Sequence, residues 1–292
     1  RGDGDRGHTR GRRNRRHRAH AAERVAVPIG GRLGGLRDSL SGRSPKPSAA
    51  AEGTEPGRVI TVLGMHRSGT SSLVGSLEAA GLPLGDVQTR VAKANQKGHR
   101  EPNELIALHE DVLITSGGAW HLPPAEVRWT DKQRQRRDEF IASRADLPLW
   151  GWKEPRTLLV LNGWLEALPE LELVATFRHP LVVARSLQRR HGSDTPDRWL
   201  DLWLAYGARL LELLESGPFP VIDFDLPAEA YAARLRAIVS ELRLPKVAEA
   251  GSFFDGELRT SQKQAPADAE LPAEVKRVYD RLREIAAAQI GA

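Results

Sequence analysis

A chain of 292 residues with 40% apolar content can hold one large domain with a sizeable core. It has no cysteine, which excludes disulfides, thiolate metal sites and cysteine nucleophiles, and its nine histidines show no ligand spacing such as H-E-x-x-H, so no metal site is expected. The net charge of +5 divides into +8 on residues 1–58 and −3 on the remainder, and no apolar run approaches the roughly 18–20 residues of a membrane span.

Residues 1–57 read as a basic tail or linker, rich in Arg, Gly, Pro and Ser and poor in apolar periodicity, and are expected to be disordered. One reading makes the tail an arm for nucleic acid or anionic lipid. The other, taken here, places it outside the native start, because Met65 is the single methionine. Nucleic acid is not an expected partner of the mildly acidic remainder. The tail has no long apolar segment of the secretory-signal kind, so the expected location is the cytoplasm, with the membrane surface as an alternative.

From residue 58 strands alternate with helices. Arg58–Leu63 reads as a strand and Ser71–Ala80 as its helix, stopped by Gly81. Helices follow over Pro102–Thr115 and Thr130–Arg144, then a short strand over Leu149–Trp152 and a helix from Arg156 to Leu168. Leu171–Phe177 is a strong strand, Pro180–Arg190 a helix with Pro in its first turn, and Asp197–Glu215 a long amphipathic helix. Phe219–Phe224 is a strand, and Pro227–Leu242 and Pro272–Gln289 are helices. This alternation predicts one α/β domain over 58–292, a parallel sheet covered by helices on both faces, with ligands beyond the carboxyl ends of the strands.

At that edge the first strand runs into Gly64-Met-His-Arg67-Ser68-Gly69-Thr70-Ser71. A glycine-flanked turn opening a helix aims backbone N–H groups at one point beside the positive end of the helix dipole, which suits a phosphate or sulfate. The Walker pattern would place Lys at position 70; this chain has Thr70 there and its cation at Arg67. A second constellation, Arg178-His-Pro180 followed by Ser186, puts a strand-end cation and a helix hydroxyl eight residues apart, able to converge on a second anion.

The first motif resembles the 5′-phosphosulfate loop of the sulfotransferases that use 3′-phosphoadenosine 5′-phosphosulfate (PAPS), and the second resembles their 3′-phosphate motif. Asn95-Gln-Lys-Gly98-His-Arg-Glu101 resembles the N-P-x-G-x-x-E segment of bacterial members, with Gln96 for Pro, and Trp150-Gly-Trp-Lys153-Glu154-Pro-Arg156 resembles W-x-x-K-D-P-R, with Glu154 for Asp. The resemblance spans about residues 58–260 and implies a P-loop, three-layer α/β fold. The R-K-G-x-x-G-x-W motif of cytosolic members is missing; Phe253–Arg259 resembles the F-[IF]-x-x-x-L-R of bacterial ones, with Arg259 a candidate for covering the nucleotide.

Transfer of a sulfuryl group to a hydroxyl requires an in-line nucleophile, a base for its proton, and positive charge at the departing phosphate oxygen. By resemblance Glu101 is the base, Arg67 and Lys153 are the catalytic cations, Ser68, Gly69, Thr70 and Ser71 hold the 5′-phosphosulfate, and Arg178 and Ser186 hold the 3′-phosphate. The implied co-substrate is PAPS, no metal is required, and the acceptor is a carbohydrate, glycolipid or related small molecule.

Other readings stay open at single residues. Glu101 before Pro102 also suits a helix N-terminus. His99 and His109 are either substitute bases or ordinary surface or core histidines, and Lys153 could simply pair with Glu154. Trp150, Trp152, Trp164, Trp199 and Trp203 read as core, while Trp120 and Trp129 could stack on an acceptor ring or pack a loop. The rival functions are a P-loop kinase of a small hydroxyl metabolite and a non-catalytic nucleotide- or glycan-binding module.

Overall fold

A computed structural model describes residues 57–88, 99–192, 196–249 and 270–290. The tail over 1–56, the Asn95–Gly98 part of the third motif and the Phe253–Arg259 motif lie outside the described residues.

Four parallel strands, β1 (Arg58–Leu63), β2 (Leu149–Lys153), β3 (Glu172–Phe177) and β4 (Val221–Asp223), form one sheet in the order β2-β1-β3-β4. Around them lie α1 (Thr70–Ala79), α2 (Asn103–Thr115), α3 (Asp131–Ala142), α4 (Thr157–Ala167), α5 (Pro180–His191), α6 (Pro196–Ser216), α7 (Ala228–Glu241) and α8 (Ala273–Ala288). The predicted α/β class and the parallel sheet hold. Among the described residues no helix is long and apolar enough to cross a membrane.

The period-2 alternation of the strands sorts side chains into two cores. Ile60 and Val62 of β1, Val174 of β3 and Ile222 of β4 pack with α1 and α7. Val59 and Leu63, with Trp150, Trp152, Ala175 and Phe177, face the larger core built on α2 to α6 and α8. Gly151 is needed on the first face: a Cβ there would lie 2.4 Å from the Ile60 carbonyl oxygen. The five tryptophans read as core are all buried, and Trp152 packs 4.6 Å from Trp164, ring centre to ring centre.

Expected and observed boundaries differ for physical reasons. β4 is shorter than Phe219–Phe224 because Pro220 cannot donate to the ladder and β4 pairs only with β3. Helix α3, polar along its length, starts from a capping box in which Thr130 and Gln133 satisfy each other's backbone N–H. Helix α4 is interrupted at Val160 (φ −106°, ψ 16°), where side chains take the ladder's carbonyls: Trp129 Nε1–H donates to Val160 (3.2 Å) and Arg209 to Leu159 (2.6 Å).

Candidate functional site

The strand order reverses about β1, so the loop after β1 opens between its neighbours β2 and β3 at the carboxyl edge. Positive φ angles at Gly64 (147°), Arg67 (69°) and Gly69 (93°) fold this loop tightly. Gly69 caps α1, and its carbonyl accepts from the N–H groups of Ser72 and Leu73, both at 3.0 Å. Among the described residues the N–H groups of Gly69 and Thr70 have no backbone acceptor. They lie where a helix N-terminus favours an anion.

Gly69 is demanded twice, by its φ and by Phe224, whose ring would lie 2.2 Å from an added Cβ. Gly69→Ala is therefore expected to lower unfolding free energy by about 1–3 kcal/mol in urea titration, the usual cost of such backbone strain.

A cleft of about 400 Å³ is lined by His66, Arg67, Gly69, Thr70 and Ser71 of the loop, by His99 and Glu101, by Arg156, by Arg178 and Arg190, and by Trp120 and Phe224. It thus brings together Arg67, Gly69, Thr70, Ser71, Glu101 and Arg178 from distant stretches of sequence. Ser68 is buried, its carbonyl accepting from Thr176 Oγ1 (3.2 Å). Ser186 Oγ accepts from Arg67 Nε (2.8 Å), so this hydroxyl lies against the loop cation. Arg178 Nε donates to Asp225 Oδ1 (3.1 Å), and its guanidinium lies 5.0 Å from the Phe224 ring centre. Burial, then the nearby charges of Arg190, Arg178 and Arg189, push the Arg67 guanidinium below its ordinary value. Such crowding of cations favours an anion among them.

Lys153 does not line the cleft. Its fully buried ammonium donates to Glu101 Oε1 (2.7 Å), to Ser71 Oγ (3.1 Å) and to the His99 carbonyl. The pairing of Lys153 with Glu154 considered from sequence is thus replaced by one with Glu101. Burial pushes the Lys153 ammonium down, against the opposing pull of Glu101.

Glu154 serves another network. His109 Nδ1 donates to its carboxylate (2.6 Å), as do Arg156 Nη1 (2.5 Å) and the Arg156 backbone N–H (3.1 Å). Trp164 Nε1–H donates to His109 Nε2 (2.9 Å), which fixes the tautomer with hydrogen on Nδ1. Arg156 Nη2 also reaches Glu110 Oε1 (2.7 Å). His109, fully buried and committed at both nitrogens, is a structural group, so of its two readings the core histidine holds and the substitute base does not. For Trp129 the packing alternative holds: it is buried against Gly163 and Trp164, and of the two tryptophans considered for stacking only Trp120 borders the cleft.

Sequence reasoning missed His66, Arg190, Phe224 and Asp225. His66 stands inside the anion-loop motif, Arg190 is one helical turn beyond Ser186, and Phe224-Asp225 directly follows a strand at the ligand edge. Burial first, then the charges of Arg156, Lys153 and Arg190, push the His66 imidazole down to about 3 despite Glu154, so it is neutral near pH 7.

No family model matches the sequence, and no curated protein does. Among solved structures the chain is similar to the sulfotransferase domain of the Synechococcus PCC 7002 olefin synthase, with a TM-score of 0.52 at 15% identity over 82% of this chain and 98% of that one. It also matches sulfotransferase STF1 from Mycobacterium tuberculosis H37Rv, with a TM-score of 0.33 at 16% identity over 79% of this chain and 77% of that one. The likeness to the olefin synthase domain is one of fold: this chain has the α/β architecture of a sulfotransferase domain.

Proposed function

We propose that the protein is a PAPS-dependent sulfotransferase acting on a hydroxyl of a carbohydrate, glycolipid or related small acceptor. Residues 58–292 form the transferase domain in this reading, with residues 1–57 a basic tail. The observation that carries it is the single cleft shared by the β1 loop, Glu101 and Arg178. The N–H groups of Gly69 and Thr70 and the crowded Arg67 suit the 5′-phosphosulfate, with Ser68 and Ser71 completing the loop. Arg178 and Ser186 serve the 3′-phosphate.

The acceptor oxygen bonds to sulfur as the bond from sulfur to the 5′-phosphate oxygen breaks, and the hydroxyl proton passes to Glu101. Lys153 holds the Glu101 carboxylate at 2.7 Å and adds positive charge directly behind Ser71. Arg67 faces the charge that develops on the departing oxygen. The arginines and Lys153 supply this charge without requiring a metal.

Transfer of labelled sulfate from PAPS to an acceptor tests the activity, and calorimetry with 3′-phosphoadenosine 5′-phosphate (PAP) against Mg²⁺-ATP tests the donor. Tight PAP binding without ATP binding is expected. Glu101→Gln keeps a polar partner for Lys153 while removing the base. Its kcat is expected to fall about 10²–10⁴-fold with PAP affinity unchanged.

A further inference from the structure

We propose that the wall of the cleft bearing Trp120, His66 and Arg156 is the acceptor subsite, and that it takes a sugar ring stacked on the Trp120 indole. The inference rests on the sulfotransferase reading and adds to it the class of acceptor and the residues that receive it.

Trp120 is a half-buried indole at the edge of the cleft. Its backbone is fixed by a hydrogen bond from Tyr206 Oη to its carbonyl (3.0 Å) and by the Ala119–Leu122 bridge. Its ring is braced by the imidazoles of His66 (4.8 Å between centres) and His191 (5.4 Å). An aromatic surface held on several sides meets a ring-shaped ligand at little cost in side-chain ordering.

Among the described residues, two that line the same cleft carry buried polar atoms with no hydrogen-bond partner, His66 Nε2 and Arg156 Nε. Native proteins rarely leave such atoms unsatisfied, and two beside one cleft suit oxygen partners, from a ligand or a water that it displaces. With each Nη of Arg156 bonded to Glu154 or Glu110, Nε is its guanidinium nitrogen without a partner among the described residues.

The same contacts select the ligand's character. The Arg156 charge is compensated by two carboxylates while Arg190 keeps the neighbouring cleft positive, so this wall's own contribution is directed hydrogen bonding rather than charge. A phenol brings one oxygen; a pyranose brings several around its edge, enough for His66 Nε2, Arg156 Nε–H and the Glu101 carboxylate together. A site built to hydrogen-bond several hydroxyls discriminates strongly against a ligand that lacks them.

The test is saturation-transfer NMR on the full chain with PAP present, using methyl gluco-, galacto- and mannopyranosides in one arm and phenol in the other. Saturation of pyranoside protons is expected in the wild type, falling by about tenfold or more in Trp120→Ala and partly restored in Trp120→Phe. PAP affinity by calorimetry is expected to be the same in all three, which also certifies that the variants fold. Pyranosides that stay dark with PAP bound, or that are saturated equally in Trp120→Ala, would overturn the subsite; saturation of phenol alone would overturn the sugar. If PAP fails to bind the wild type while Trp120-dependent pyranoside contact persists, the sugar site stands and the donor reading falls.

Discussion

Arg67→Ala is expected to reduce kcat/KM for sulfuryl transfer by at least about 10²–10³-fold, the loss seen when a preorganised group facing developing charge is removed. Arg67 comes from the loop that also opens α1, lies against Ser186 Oγ and stands among the cations Arg190, Arg178 and Arg189. Its positive φ of 69° means that truncation also touches the backbone. Arg67→Gly separates the two contributions, since glycine accepts that conformation freely. Transfer of labelled sulfate is expected to be equally low in both variants, while urea titration finds Arg67→Gly the more stable of the pair. Full activity in either would remove Arg67 from the chemistry.

Glu154→Gln is expected to cost about 3–5 kcal/mol of unfolding free energy, because it leaves the buried Arg156 without its closest carboxylate. Burial alone would raise the Glu154 carboxyl; the His109 hydrogen bond and nearby positive charge outweigh it and bring the group down to about 2 from 4.5. A carboxyl lowered on folding contributes stability that is complete above about pH 4.5 and is lost as pH falls toward 2. Equilibrium unfolding of wild type and variant across that interval should therefore converge on acidification. The variant also reports on function. His109 and Glu110 sit on α2, and Glu101 lies just before that helix, so this network holds the proposed base against the end of β2.

Much of the fold was legible because its signals are local. β1 and β3 are mainly apolar runs that end in a glycine turn and an Arg-His-Pro, and their boundaries came out within a residue. The interruption of α4 could not be read, since it depends on Trp129 and Arg209, distant side chains that reach its carbonyls. Of the site, the loop, Glu101, Lys153 and Arg178 were visible as motifs, but their pairings were not. Lys153 stands next to Glu154 in sequence yet reaches Glu101, because successive residues at the end of a strand point to opposite sides. Asp225 as the partner of Arg178 was equally hidden, its meaning arising only from β4 lying beside β3. His66 was hidden in plain view inside a motif whose neighbours drew the attention.

The hairpin-like turn bearing Trp120 is tied to the body of the molecule by the Tyr206 hydroxyl on α6 and by its indole packing on His66 and His191, and it closes on itself through the Ala119–Leu122 bridge. Among the described residues no backbone hydrogen bond joins residues 119–122 to the loop after β1. Such an attachment makes the turn an interchangeable cassette: its length and composition can drift, or be grafted, while the arginine-rich pocket beneath keeps its geometry. One scaffold could thereby be retuned to new hydroxyl compounds through a handful of residues.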